Sequence, residues 1–178
     1  MSGDAEVAYP LFHKREGGSI PTSPLQFEIY EISFQRAKQL NRQWHSRLPK
    51  FGGTAKVSYG ALFDGVFYAI AMWSNPVARM LPQQTWLELK RMAIASDAPK
   101  NTASRMIKIM EILLKAKYPE IIKLISYQDT EVHKGTIYKA SGWEIGRYSE
   151  GGEWSRPSRW APKVQSDAPK IRWEKDIR

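Results

Sequence analysis

An aspartate, a histidine and a tyrosine fall within ten consecutive residues of SYQDTEVHKGTIYKASGW, residues 126–143. An apolar run predicts a buried strand over 121–128, so Asp129 lies at its carboxyl end, where α/β sheets bind ligands. Tyr138 falls in the short helix predicted next, and a phenol can act as a general acid toward a departing thiolate. His133 lies five residues from Tyr138, on another helical face, and we interpret it as a surface residue. The structural alternative is a half-buried, hydrogen-bonded tyrosine.

Arg91 is the predicted third member of this group. Alternation along the strand predicted over 86–95 places Arg91 on one face with Leu87 and Leu89. An arginine in line with leucines requires a partner, because an unpaired buried charge is very costly. Asp129, at the end of the neighbouring strand, is the expected partner. The pair would be purely structural or would hold an anionic or amide group of a substrate, and the residues leave both open.

A polar loop, SDAPKNT (96–102), joins that strand to a helix predicted over 103–117. Free backbone N–H groups and the dipole at a helix N-terminus favour phosphate. The alternative is an ordinary connection with Asn101 or Thr102 as the N-cap. The loop has no glycine, which weakens the case for close backbone approach to a pyrophosphate. Three side chains would add donors and positive charge: Lys100, Ser104 and Arg105.

The chain is basic, with a formal net charge of +9, and its cations are clustered. No acidic residue lies between Glu31 and Asp64, while six cations do, which favours a nucleic-acid partner. Solubility alone is the alternative. His45 lies in this stretch and could contact phosphate, bind a metal, act as a base or be a surface residue. The cations are Arg36, Lys38, Arg42, Arg47, Lys50 and Lys56.

A second segment combines tryptophan with arginine near the C-terminus. Stacking together with positive charge is typical of surfaces that hold single-stranded or extruded bases. A packed C-terminal flap is the alternative. The residues are Trp154, Arg156, Arg159 and Trp160.

The length of 178 residues predicts a loose arm over 1–24 and one domain over 25–178. The sequence has no cysteine, which excludes disulfides, thiolate metal sites and a cysteine nucleophile. We expect a cytoplasmic protein without a membrane partner, since no apolar run approaches the roughly 18–20 residues of a membrane span and the first residues do not resemble a signal peptide. Hydrophobic periodicity predicts the order β-α-β-β-β-α-β-α-β-loop-β, an α/β fold with one βαβ unit in a mixed sheet.

Local signals predict four of these features in more detail. Residues 25–32 alternate as a strand does, and Ser33 is the expected N-cap of the helix that follows. Asp64-Gly65 predicts a hairpin between two strands. The residues HKGTIYKAS, 133–141, predict the short helix that contains Tyr138.

This element order resembles the GNAT acetyltransferase fold. Four segments more specifically resemble the bacteriophage Mom DNA-modification proteins, a divergent branch of that superfamily: VSYGALFDG, LELKRMAIASDAPKNTASRMI, ISYQDTEVHKGTIYKASGW and SDAPKIRW. The resemblance implies a transferase that places a methylcarbamoyl-type group on N6 of adenine and so protects phage DNA from host restriction. It implies double-stranded DNA and a small-molecule acyl donor as partners, and leaves the oligomeric state open, a dimer included.

The resemblance also implies site residues. The catalytic positions are Arg91, Asp129, Tyr138, His45 and, more loosely, Tyr59. The family's site has been linked with a metal, with iron as a candidate and with His45, Asp129 and Tyr138 as candidate ligands. An acyl-CoA or related donor would bind at Ala93, Ile94, Ala95, Lys100, Asn101, Thr102, Ala103, Ser104 and Arg105. The loop departs from the usual Arg/Gln-x-x-Gly-x-Gly/Ala pattern of that superfamily, which favours an acyl donor other than plain acetyl-CoA.

Two other functions remain open on this fold. One is an acetyl-CoA-dependent N-acetyltransferase for a small amine or a protein. The other is a DNA-binding protein without enzymatic activity, whose DNA binding would depend on salt and survive Asp129→Ala.

Overall fold

A mixed β-sheet of seven strands organises the part of the chain that the computed structural model describes, residues 19–45, 48–150 and 168–178. The strands are β1 (Glu28–Glu31), β2 (Val57–Phe63), β3 (Val66–Ser74), β4 (Trp86–Ile94), β5 (Lys123–Asp129), β6 (Glu144–Ser149) and β7 (Lys170–Asp176). The helices are α1 (Phe34–Trp44), α2 (Thr102–Lys117) and α3 (Thr136–Ala140), and a 3-10 turn covers Pro24–Gln26. The predicted α/β fold with a mixed sheet is confirmed. No helix among the described residues is long and apolar enough to cross a membrane.

The strand order in the sheet is β1-β2-β3-β4-β5-β7-β6. β4 and β5 are parallel and are joined by α2, as in the predicted βαβ unit, and the other neighbouring pairs are antiparallel. β2 and β3 form the predicted hairpin, in which Asp64 and Gly65 have φ of 48° and 73°, the left-handed values that an Asp-Gly turn supplies. The sequence therefore fixes this hairpin locally.

Capping residues set two element boundaries near the N-terminus of the described chain. Ser33 accepts a hydrogen bond from the Arg36 amide at 3.2 Å and begins α1, as predicted. The strand predicted over 25–32 begins only at Glu28, because Ser23 and Gln26 form a capping box that closes a 3-10 turn first.

Two apolar cores lie on opposite faces of the sheet. α2 and α3 cover one face, where Trp73 packs with Met110 and Leu114 and donates its indole N–H toward the Met110 sulfur at 3.2 Å. α1 covers β2, β3 and β4 on the other face, where Ile70 and Met72 are fully buried. Each such side chain contributes about 1.5–3 kcal/mol on burial. We call these the α2 face and the α1 face.

β4 and β5 separate partway along their length. Their parallel pairing begins at Trp86 opposite Lys123 and ends at Leu89 opposite Ser126. Beyond that point β4 pairs with β3, and β5 pairs with β7. The strands therefore leave a gap with unpaired backbone edges on both sides, directly after the residues 89 and 126.

β6 forms an edge of the sheet, and all six of its residues are exposed. Its pairing with β7 shifts between Ile145 and Arg147, so that Gly146 is the extra residue of a bulge. A Cβ atom at Gly146 would lie 2.0 Å from a Glu174 carboxylate oxygen. Only glycine fits at this bulge without a rearrangement.

Candidate active site

The Tyr138 hydroxyl lies at the point where β4 and β5 separate. Tyr138 is buried in α3, with its ring stacked on Trp173 at 5.5 Å between centroids and tilted against Trp143 at 5.6 Å. Its Oη and the Ser126 Oγ are 2.9 Å apart, and the Ser126 hydroxyl donates to the Leu89 carbonyl at 3.2 Å. Since Leu89 and Ser126 form the last parallel pair, this chain of hydrogen bonds ends at the floor of the gap.

Burial raises the pKa of Tyr138, and the hydrogen bond with Ser126 opposes part of that rise. The phenol is therefore protonated at neutral pH. A buried, protonated hydroxyl at the floor of a gap can donate a proton or a hydrogen bond to a group that enters it.

Asp129 lies on the other face of the sheet. The pairing of β5 with β7 is regular from Lys123 to Asp129, so side chains alternate without interruption. Ser126 contacts Tyr138 on the α2 face, which puts Asp129 on the α1 face. Its carboxylate accepts the Glu131 amide at 3.1 Å. The structure thus does not bring Asp129 and Tyr138 together on one face, and they flank the sheet from opposite sides.

Arg91 also lies on the α1 face, because β4 contains a bulge. Trp73 pairs with Leu89, whereas the next residue of β3, Met72, pairs with Arg91, so Lys90 is the extra residue. Leu89 belongs to the core on the α2 face and Met72 to the core on the α1 face. The expectation that Arg91 shares a face with the β4 leucines is therefore wrong.

The expected ion pair of Arg91 with Asp129 is not formed. Arg91 Nη1 donates to the Lys90 carbonyl at 3.0 Å, and the guanidinium lies 5.6 Å from the centre of the Phe51 ring. Its Nε is buried, with no acceptor in the described chain. Burial lowers the pKa of Arg91, and Glu88 opposes that shift. The cation is half-buried and lacks a close carboxylate among the described residues.

Arg91 and Lys90 line a cavity of about 470 Å³ on the α1 face. The other walls are the loop between α1 and β2, residues 51–56, and the last residue of β3 with the segment that follows it, residues 74–77. The volume falls in the range of about 300–1,000 Å³ that small-molecule sites occupy. Its position near the gap makes this cavity the candidate acceptor site.

A second, smaller cavity of about 170 Å³ lies on the α2 face between the N-terminus of α2 and α3. Asn101 is the N-cap with φ of 66°, and no side chain of the described residues caps the helix. The Thr102 amide donates to the Pro99 carbonyl at 3.4 Å, and the first-turn amides after it are open to a ligand. Thr102, one of the two predicted N-caps, instead donates from its hydroxyl to the Pro99 carbonyl at 2.6 Å. Five of the residues predicted from the sequence to bind the acyl donor line this cavity: Ile94, Asn101, Thr102, Ala103 and Ser104.

The other four residues predicted to bind the acyl donor are not among those that line this cavity. Ala93 is buried in the core on the α1 face. Ala95 donates its amide to the Tyr68 carbonyl at 2.8 Å. Lys100 is exposed, and Arg105 has a buried Nε without an acceptor in the described chain.

His45 lies at the end of α1, and Tyr59 lies in β2. His45 is the C-cap of α1, and its Nδ1 accepts the Leu48 amide at 3.1 Å. Tyr59 is buried opposite Glu31 of β1, and its pKa is raised by burial and then by Glu31. Its neighbour Tyr118, the C-cap of α2, marks the end of that helix opposite to the small cavity.

The three candidate metal ligands do not form one site. Tyr138 and Asp129 are on opposite faces, and the Tyr138 hydroxyl is engaged with Ser126. Within the described ranges, no group of three or more histidine, aspartate and glutamate side chains could hold a metal ion. The donor set His45, Asp129 and Tyr138 thus does not fit a metal in this arrangement.

The predicted nucleic-acid contacts are described only in part. Lys38, Arg42 and Lys50 are exposed on α1 and the loop that follows it. α1 contains no acidic residue, so all the charged residues on its solvent face are basic. Arg47, Trp154, Arg156, Arg159 and Trp160 lie outside the described residues.

Two residues at the site were not anticipated from the sequence. Ser126 holds the Tyr138 hydroxyl, and Glu88, only 6% exposed, accepts the Val77 amide at 3.0 Å beside the larger cavity. The available signal was a polar residue inside each of two apolar strand patterns. Buried polar groups require partners, and such positions mark contacts that periodicity alone does not identify.

Solved structures of GNAT acetyltransferases share this fold. An acetyltransferase of the GNAT family from Streptococcus pneumoniae is 13% identical, with a TM-score of 0.59 over 85% of this chain and 99% of that one. The ribosomal-protein-S18-alanine N-acetyltransferase from Escherichia coli is 12% identical, with a TM-score of 0.59 over 85% and 94%. AAC(6')-Ib, solved with ribostamycin and coenzyme A, is 11% identical, with a TM-score of 0.57 over 85% and 93%.

No curated protein matches this sequence. The family model of the Mom protein family matches residues 26–155. That range contains α1, both cavities, Arg91, Asp129 and Tyr138. On a GNAT acetyltransferase fold, the chain belongs to the Mom protein family.

Proposed function

We propose that this protein is an acyltransferase-type enzyme that modifies a base of phage DNA, adenine at N6, and so protects that DNA from host restriction in the cytoplasm. The observation that carries the proposal is the Tyr138 hydroxyl at the floor of the gap between β4 and β5. On the α2 face lies an uncapped helix N-terminus, and on the α1 face lies a cation-lined cavity. One face suits a phosphate-bearing donor and the other a nucleic-acid acceptor.

The donor would be an acyl-CoA or a related thioester. Its phosphates would bind at the N-terminus of α2, where amides and the helix dipole favour anions. AAC(6')-Ib, which shares the fold, was solved with coenzyme A. The acyl thioester would reach through the gap, past Tyr138, toward the α1 face.

The basic surface supports DNA as the acceptor. α1 has Arg36, Lys38 and Arg42 and no acidic residue. This helix leads directly into the loop that forms one wall of the larger cavity. Contacts between phosphates and α1 would bring a target base to that cavity, and an extruded base is what an enzyme acting on N6 requires.

The transfer needs two proton movements. The N6 nitrogen attacks the acyl carbon, a C–N bond forms, and the C–S bond breaks. Asp129, on the α1 face, would orient the amine or accept its proton. Tyr138 would give its proton to the departing thiolate, and solvent would restore both groups. An exocyclic amine of adenine is a poor nucleophile, so the orientation of the reacting groups would supply much of the rate.

A second candidate is an acetyl-CoA-dependent N-acetyltransferase acting on a small amine or a protein. The fold shared with an S18-alanine N-acetyltransferase favours it. This enzyme would use the same gap and α2 N-terminus, but DNA from expressing cells would be unmodified.

Nucleoside analysis separates these functions. The protein, Tyr138→Phe and the surface variant His133→Ala are expressed in cells, whose DNA is digested to nucleosides and measured by mass spectrometry. A new adenine derivative is expected with the parent protein and His133→Ala, and at least about 100-fold less with Tyr138→Phe, as for loss of a general acid. Unmodified DNA in well-expressing cells would contradict the proposal if another Mom family protein modifies DNA in parallel.

A further inference from the structure

We infer that the cavity lined by Lys90 and Arg91 holds one phosphodiester of the DNA backbone, so that the acceptor is bound through a backbone phosphate as well as through its base. The inference rests on DNA being the acceptor in the proposed function. It assigns a ligand class to Arg91 and Lys90 and a positioning role to Glu88.

Arg91 is a half-buried cation that lacks a counter-charge among the described residues. Its guanidinium is half-buried, its Nε has no acceptor and its Nη1 reaches only the adjacent Lys90 carbonyl. A cation taken out of water without a counter-charge is costly, and here it borders a cavity. An oxyanion in that cavity would supply the missing counter-charge beside the guanidinium, a group that binds phosphate well.

The charges that line the cavity sum to a single uncompensated positive charge. Lys90 Nζ lies 3.0 Å from a Glu88 oxygen, so these two charges offset each other. Lys56 also borders the cavity, but its ammonium lies 3.4 Å from Glu120. The net charge left to the ligand is the single positive charge of Arg91. A phosphodiester has one negative charge and complements it, whereas a terminal phosphate at neutral pH has nearly two.

Glu88 holds two segments beside the cavity in place. The buried Glu88 carboxylate accepts the Val77 amide with one oxygen and pairs with Lys90 through the other. It therefore fixes the segment after β3 and the β4 bulge relative to each other. The opposite wall includes Gly52 and Gly53, where an added Cβ would meet no atom within 4 Å. The two glycines thus leave the lining of the cavity uncrowded there, which gives room for a sugar-phosphate.

The cavity lies next to α1 along the chain. The helix has no acidic residue, and the loop after it forms the cavity wall. A DNA strand that contacts α1 would reach the cavity without crossing an acidic residue of that helix. This is why a nucleic-acid phosphodiester is favoured over the carboxylate of a small molecule.

The test uses a dinucleoside monophosphate, d(TpA), and its uncharged methylphosphonate analogue, with binding followed by tryptophan fluorescence or calorimetry. The parent protein is expected to bind d(TpA) at least about tenfold more tightly than the analogue, as for loss of a charge-assisted hydrogen bond. Equal binding of the two would overturn the inference without any variant. Stronger binding of acetate than of d(TpA) would also overturn it.

Variants then locate the phosphate. Arg91→Gln is expected to weaken d(TpA) binding by about tenfold or more, and Arg91→Lys to retain part of it. Glu88→Gln, which keeps an acceptor for the Val77 amide but removes the negative charge, is expected to tighten binding several-fold. Lys115→Gln, at an exposed lysine in the last turn of α2 that lines neither cavity, is the control and should leave d(TpA) binding unchanged. Unchanged binding in Arg91→Gln, or weaker binding in Glu88→Gln with thermal unfolding like that of the parent, would contradict the assignment.

The outcome is independent of the modification itself. If d(TpA) binds through Arg91 but cellular DNA is unmodified, the phosphodiester site stands and the proposed activity fails. If DNA is modified but the methylphosphonate binds as well as d(TpA), the activity stands and this inference fails.

Discussion

The hydrogen bond between Tyr138 and Ser126 has a measurable energetic signature. Tyr138→Phe removes one hydroxyl and keeps the ring packed between Trp173 and Trp143. The free energy of unfolding should fall by about 1 kcal/mol, the net contribution of one hydrogen bond. Ser126→Ala should cost more, about 1–3 kcal/mol, because it leaves the buried Tyr138 hydroxyl without this partner.

The double variant decides whether the two residues act together. Once Ser126 is alanine, the Tyr138 hydroxyl has lost its partner, so its removal should cost little or even stabilise. We expect a coupling energy of about 1 kcal/mol between the two substitutions. Urea unfolding followed by tryptophan fluorescence gives all four free energies, and an unchanged m-value shows that the folded and unfolded states are comparable.

A surface tyrosine provides the control for this cycle. Tyr148 is 57% exposed, and Tyr148→Phe should change stability by no more than about 0.5 kcal/mol. Additivity of Tyr138→Phe and Ser126→Ala within about 0.5 kcal/mol would refute the proposed hydrogen bond. Loss of modified adenine far beyond the small stability change would then assign a chemical role to the hydroxyl.

Three further outcomes follow from buried polar groups and backbone geometry. Gly135 and Gly142 have similar positive φ values, 68° and 69°, but an added Cβ would lie 2.5 Å from a Gln128 oxygen at Gly135 and no closer than 3.8 Å to any atom at Gly142. Urea unfolding should therefore show that Gly135→Ala is more destabilising than Gly142→Ala by about 1–3 kcal/mol. Equal losses of stability in the two variants would contradict this geometry. Burial raises the pKa of Tyr59 and Tyr138 in the folded state, so these tyrosines ionise first in the unfolded chain and the free energy of unfolding should fall above about pH 10. The free energy should fall by about 1.4 kcal/mol per pH unit for each of the two tyrosines. In unfolding experiments at a series of pH values, Tyr59→Phe should make this fall less steep. Asn41→Ala should destabilise the protein by about 1–3 kcal/mol, because the amide group of Asn41 donates to two loop carbonyls at 3.1 Å; a thermal unfolding temperature equal to that of the parent would show that these bonds contribute nothing.

Local signals predicted most of the fold. The Asp64-Gly65 turn and the periodicity of the helix over 103–117 depend on nearby residues, and the structure has both. The helix expected at His133 begins later, at Thr136, because Gly135 has a left-handed φ of 68° and serves as its N-cap. His133 is thus outside α3, in the irregular segment that precedes it.

The face of Arg91 could not be predicted, because it depends on a partner strand. An extra residue at Lys90 changes the alternation, and the extra residue is defined only by the pairing of β4 with β3. Alternation assumed a regular strand and so assigned Arg91 to the leucine face. The hydrogen bond of Ser126 with Tyr138 could not be predicted for a similar reason, because it forms only when α3 places Tyr138 over β5. Both features arise from tertiary contacts between segments distant in sequence.

The bulge at Gly146 bears on how this protein behaves at high concentration. A fully exposed edge strand presents donors and acceptors to which a strand of another molecule can add. Here the outermost strand, β6, carries exposed Ile145 and Tyr148, at 57% each, which would favour such stacking. The extra residue interrupts the regular spacing of those groups, and a foreign strand would find at most short runs in register. The edge is therefore a poor template for a strand of a second molecule, which lowers the tendency of the protein to associate at high concentration.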